Sequence, residues 1–150
     1  MRWAATRMSY GARPVRAQAS DVTLVVLNYN GRGFLELVLP SIARQTVQGF
    51  SVTVVDDAST DDSVEYLAGE WPEVSVVRSE ENAGVTASMA RAVASADTPL
   101  VAILNNDLEL DPGWLAEMLA GINSFPGAAA VDCKMLRFDE RSVIQTWKRS

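Results

Sequence analysis

The stretch "VTLVVLN", Val22 to Asn28, is a nearly unbroken run of apolar and β-branched residues closed by an amide. A run this short and this apolar is a strand covered on both faces, so helices must lie above and below it. Three further runs repeat the pattern: "SVTVVDD" (Ser51 to Asp57), "EVSVVRS" (Glu73 to Ser79) and "PLVAILN" (Pro99 to Asn105). Helical stretches separate them. "FLELVLPSIARQT" sets Leu35, Val38, Leu39 and Ile42 on one face, and "STDDSVEYLAGEW" and "GVTASMARAVASA" follow the second and third strands. Pro40 falls inside the first helix, where an interior proline costs about 3 kcal/mol, so a kink or restart is expected there. Asp111 before Pro112 reads as the start of a fourth helix that turns Trp114, Leu115, Met118 and Leu119 inward. "AAAVDCKML" (Ala128 to Leu136) is expected as a fifth strand, and "RFDERSVIQTWKRS" as a hairpin or a loose end.

Strands alternating with helices imply an α/β fold of parallel βαβ units with right-handed crossovers. In such sheets ligands bind beyond the carboxyl ends of the strands. That rule selects four polar clusters on one edge: Asn28 to Asn30, Asp56 with Asp57, Arg78 to Asn82, and Asn105 to Asp107.

Composition narrows the chemistry. With no histidine, imidazole bases and the triads built on them are excluded, and proton transfer falls to carboxylates. The one cysteine, Cys133, allows neither an internal disulfide nor a thiolate zinc site, which suits a reducing, cytoplasmic compartment. Net charge is −6, yet residues 1–20 carry Arg2, Arg7, Arg13 and Arg16 and no acid, so the body is more acidic than the total. An acidic body argues against nucleic acid as a partner and suits a divalent cation better. No run of about 18 apolar residues exists, so the chain itself is not expected to span a membrane. The basic head lacks the apolar stretch of a secretory signal and is expected to be a disordered extension. Its charge also admits a transit-peptide reading or a weak peripheral contact with anionic lipid.

Each cluster has a structural as well as a functional reading. "YNGRG" invites a dinucleotide site, since Gly31 and Gly33 lie between a strand and a helix and Asp56 and Asp57 end the next strand. The third glycine of that fingerprint is replaced by Glu36, and Tyr29 and Asn30 spoil the tight turn it needs. In "VVDDASTDDS", Ser59 or Thr60 is expected to cap the second helix, with Asp61 and Asp62 favoured at its positive end. The adjacent like charges Asp56 and Asp57 have no obvious structural return, and a carboxylate there could accept a base N–H or ribose hydroxyls. Asn105, Asn106 and Asp107 are ordinary turn residues. They also offer oxygens at the end of a strand, a plausible mount for Mg²⁺ or Mn²⁺.

Taken together, "VVLNYN", "VTVVDDASTDDS", "SEENAGVTASMARAVA" and "ILNNDLELDPGWL" resemble the inverting glycosyltransferases of family two, from about Val22 to Leu115, with a weaker echo through "VDCKMLRFD". The resemblance implies a Rossmann-like GT-A fold, with a mostly parallel sheet flanked by helices. It implies transfer of a sugar from a UDP- or dTDP-linked donor to a glycan or lipid-linked acceptor, in the cytoplasm or at the inner face of the membrane. Tyr29 would stack on the base or ribose, and Asp56 or Asp57 would contact both. Asn30, Arg78, Asn82 and Asn106 would complete the nucleotide site. "NND" takes the place of the family's DxD element, with Asp107 as metal ligand and Asn105 where the first Asp stands; the amide removes a charge. Where members carry an Asn, this chain has Met89 or Ala90. Residues 21–150 are thus expected to be the donor-binding part of the domain, with the general base and acceptor half lying beyond the end of this chain. A non-catalytic nucleotide-sugar-binding module is the rival reading, with an NAD-binding oxidoreductase behind it.

Overall fold

The computed structural model describes residues 16–137, except 126 and 134. Its elements are β1 (Val22–Asn28), α1 (Arg32–Ala43), β2 (Ser51–Asp56), α2 (Ser63–Glu70), β3 (Ser75–Arg78), α3 (Val85–Ser95), β4 (Leu100–Asn105) and α4 (Trp114–Ser124). The strands form one parallel sheet in the order β3-β2-β1-β4.

Every residue of β1 is buried, because the strand is central and covered on both faces. Val22, Leu24 and Val26 pack with Leu35, Val38, Leu39 and Ile42 of α1, Leu67 of α2 and Leu115 of α4. Val25 and Leu27 point the other way, onto Val55 and Ala92 of α3. The period-two alternation of a strand thus divides one apolar run between two cores. The chain moves from β1 to β3 with helices on one face, then returns past β1 to β4 with α3 on the opposite face. Reversing direction and face together keeps one crossover hand throughout. The reversal also opens a crevice between the carboxyl ends of β1 and β4, where such sheets bind ligands.

Several expectations are corrected. α1 runs through Pro40 as one helix, so of the expected kink or restart the restart does not occur. The proline removes one backbone donor, and the next residue, Ser41, donates its hydroxyl to the Val38 carbonyl (2.7 Å) and accepts the Leu110 N–H (3.1 Å). Among the described residues Ala128 to Leu136 contains no strand, only an isolated bridge at Leu136. Three successive alanines bury too little area to hold a strand on the sheet. Ser59 and Thr60 do not cap α2. Asp61 does the equivalent work for two helices, accepting the N–H of Ser63 (3.1 Å) at the start of α2 and of Arg32 (3.1 Å) at the start of α1. Asp111 acts two residues before the N-cap of α4, Gly113, whose N–H its side chain accepts at 2.8 Å. Leu115 and Ile122 are the buried residues of α4, with Trp114 and Leu119 partly buried against the core.

The described part of the expected extension packs on the body. Ala17 is buried, and its backbone exchanges two hydrogen bonds with the Asn123 side chain of α4 (2.7 and 2.8 Å). The expectations for residues 1–15 and for 138–150 lie outside the described residues. Among the described residues no helix is long and apolar enough to cross a membrane.

Candidate functional site

Register decides which side chains meet at the sheet exit. β1 and β2 pair so that Asn28 lies beside Asp56, and β1 and β4 so that Leu27 lies beside Asn105. A cavity of about 410 Å³ opens there, walled by Tyr29 after β1, Asp57 after β2, Asn82 and Gly84 before α3, Asn105 at the end of β4, and Asn106 and Asp107 beyond it. Tyr29 is 50% exposed, an aromatic face held at the rim.

The two adjacent aspartates part company. Asp56 is fully buried. It accepts the Ser59 N–H (2.9 Å), the Ser59 hydroxyl (2.5 Å) and the Asn28 amide (3.0 Å). The Arg78 guanidinium lies 3.9 Å away. Asp57 turns to the opposite side, accepting the N–H groups of Ala83 (3.3 Å) and Gly84 (2.7 Å) and the Arg91 guanidinium (3.3 Å). Burial pushes the Asp57 carboxyl up, but the Ala83 and Gly84 N–H groups and Arg91 outweigh it and hold the group below the usual carboxylate range. The pair therefore has the structural return that the sequence did not reveal: each carboxylate organises its own loop. Directly after them Ala58 takes a left-handed backbone (φ 62°), a conformation costing about 1 to 3 kcal/mol in a non-glycine residue. Gly84, at φ 82°, starts α3 in a conformation that a side chain would strain.

Six of the nine residues singled out from sequence line this cavity: Tyr29, Asp57, Asn82, Asn105, Asn106 and Asp107. The other three stand behind it. Asn30 accepts the Thr60 N–H (2.7 Å), Asp56 is enclosed, and Arg78 donates to the Ser59 carbonyl (3.1 Å). Leu27, Gly84, Val85 and Ser88 also line the cavity and were not singled out. Only the "NAG" turn before α3 hinted at them.

Among the described residues no group of three or more His, Cys, Asp or Glu side chains gathers to hold a metal. What the cavity offers is one exposed carboxylate, Asp107, beside the Asn105 amide. That hard-oxygen set fits a Mg²⁺-like ion that takes one or two ligands from protein and the rest from phosphates and water.

The chain is similar to proteins of known sequence and to solved structures. The "Succinoglycan biosynthesis protein ExoU" of Rhizobium meliloti is 30% identical over 107 residues, 69% of this chain and 31% of that protein. An uncharacterized glycosyltransferase of Bacillus subtilis, YwdF, is 26% identical over 123 residues, 81% of this chain and 45% of its own length. The chain thus spans less than half the length of these curated relatives. S. aureus TarS in complex with UDP superposes with a TM-score of 0.63 and 25% identity over 69% of this chain and 32% of that one. The mannosyltransferase PcManGT from Pyrobaculum calidifontis, in complex with GDP-Man and Mn²⁺, gives a TM-score of 0.61 and 26% identity over 81% of this chain and 38% of that one. The parallel sheet with its flanking helices is a GT-A fold. The model of the family described as "Glycosyl transferase family 2" matches residues 23–148, and with the sheet order and the site at its exit this establishes that the chain belongs to that family.

Proposed function

We propose that the cavity binds a UDP- or dTDP-linked sugar, and that the chain is the donor-binding part of an inverting glycosyltransferase. The acceptor in this reading is a glycan or lipid-linked sugar in cell-surface polysaccharide synthesis. The observation that carries the reading is the meeting of Tyr29, Asp57, Asn82 and Asp107 around one cavity at the reversal point of the sheet. Support comes from TarS, also solved with UDP-GlcNAc, from PcManGT with GDP-Man and Mn²⁺, and from the succinoglycan relative.

In this reading the half-exposed Tyr29 ring stacks on the base or ribose. Asp57 accepts from Ala83, Gly84 and Arg91, and in this reading it also accepts a ligand N–H or hydroxyl. Asn30, Asp56 and Arg78 act from behind, by holding the turns that carry Tyr29 and Asp57. Two carboxylates in the cavity wall repel a bare diphosphate, so Asp107 with Asn105 would hold Mg²⁺ or Mn²⁺ against it. Such an ion, when bound, stabilises charge developing on the departing diphosphate. The single cysteine suits the cytoplasm, and a basic terminus suits a peripheral contact with an anionic inner membrane face.

Calorimetric titration of UDP and dTDP into the chain, with and without Mn²⁺, tests the site. Mn²⁺ is expected to tighten binding by about tenfold, roughly 1.4 kcal/mol, and Asp107→Ala is expected to abolish that gain. Affinity indifferent to both metal and Asp107→Ala would overturn the assignment. Acceptor-dependent turnover separates an enzyme from a non-catalytic donor-binding module.

A further inference from the structure

On the donor-binding reading above, we infer that Asn28, Asn106 and Gly31 form a positioning bridge. Asn106 acts by setting the Asp107 turn against the turns that carry Tyr29 and Asp57. Asn28, the last residue of β1, is 3% exposed and lies in register with Asp56. Its amide nitrogen donates to Asp56 Oδ2 (3.0 Å) and to Ser59 Oγ (3.3 Å), and its carbonyl oxygen accepts from Asn106 Nδ2 (2.8 Å).

The direction of this chain is chemically determined. An ionised carboxylate can only accept, so Asp56 compels Asn28 to face it with nitrogen. The Asn28 oxygen must then meet a donor, and Asn106 supplies one. Ser59 Oγ also accepts the Asn30 N–H at 2.9 Å, so the loop beside Tyr29 and the turn bearing Asp107 end on one network. Asn105 and Asp107, exposed on either side of Asn106, are carried by it.

Gly31 makes room for the bridge. A Cβ at this position would lie 2.0 Å from Asn106 Nδ2 and 2.6 Å from Asn28 Oδ1. Its φ of −119° is open to any residue, so the glycine is there for space and not for backbone conformation. A ligand that touches Tyr29 with its base and Asp107 with its diphosphate needs those two ends at a preset separation, which this bridge supplies.

The test compares the unsubstituted chain with Asn106→Ala, Asn28→Ala and Gly31→Ala. UDP affinity is measured with and without Mn²⁺, and amide hydrogen exchange of residues 105–107 is measured without any ligand. Each variant is expected to lose most of the Mn²⁺ enhancement, about tenfold as for other residues that orient metal ligands, a larger loss than any in its metal-free UDP affinity. Exchange at residues 105–107 should rise in the absence of ligand. If the unsubstituted chain gains affinity with Mn²⁺ and folded Asn106→Ala gains as much, the bridge does not position Asp107 and the inference fails alone. If the unsubstituted chain shows no Mn²⁺ effect, the metal reading fails and takes the inference with it. Equal loss of metal-free and metal-dependent affinity in folded Asn106→Ala overturns positioning in favour of direct donor contact. Asn28→Ala also frees Asp56, so Gly31→Ala serves as the second probe.

Discussion

Gly31→Ala and Gly33→Ala, two residues apart at the start of one helix, should move stability in opposite directions. At Gly33 an added Cβ meets nothing within 4 Å, and the backbone is already helical. Restricting the unfolded chain there should stabilise by about 0.4 to 1 kcal/mol. At Gly31 the new methyl would occupy the place of Asn106 Nδ2 and crowd Asn28 Oδ1. Driving Asn106 away leaves the buried Asn28 oxygen without its donor, at a cost of about 1 to 3 kcal/mol. Residual crowding adds about 1 to 3 kcal/mol, and the entropic gain offsets less than 1 kcal/mol of this. The net loss is about 1 to 5 kcal/mol, which for a chain of this size lowers Tm by roughly 2 to 20 °C. Urea melts followed by circular dichroism, with all three proteins at one pH, measure both effects. A Gly31→Ala protein as stable as Gly33→Ala would mean that Asn106 leaves Asn28 without cost, and the buried bridge would have no energetic content.

Asp57 should make stability depend on pH at the acid end. Its folded-state pKa lies below the ordinary 3.8, so its contribution is complete above that value and is lost as pH falls through the lower folded value. Urea midpoints measured between pH 2.5 and 6 should therefore fall less steeply in Asp57→Asn than in the unsubstituted chain. Equal slopes would contradict the role given to Ala83, Gly84 and Arg91. Leu35→Ala empties a fully buried position between α1 and the sheet and should cost about 2 to 5 kcal/mol by the same melts. A loss under 1 kcal/mol would place the core elsewhere.

The order of elements was legible because hydrophobic period is a local property. Val22 to Asn28 could hardly be anything but a two-sided strand, and Leu35, Val38, Leu39 and Ile42 mark one helical face. Parallel pairing followed from alternation alone, and with it the edge at which the cavity opens. The expected fifth strand failed because three alanines carry an apolar label without the area to make it count. What no local pattern could supply was the direction of each polar side chain. Asp56 and Asp57 are neighbours in sequence, yet one faces Asn28 and Ser59 and the other faces α3, because a left-handed residue follows them and successive side chains leave a strand on opposite sides. The Asn28 to Asn106 bond joins residues 78 apart, and the need for a glycine at position 31 arises only once that bond lies across it. Composition and period chose the layers; three-dimensional register chose which amide meets which carboxylate, since hydrogen bonds act over about 3 Å and are indifferent to distance along the chain.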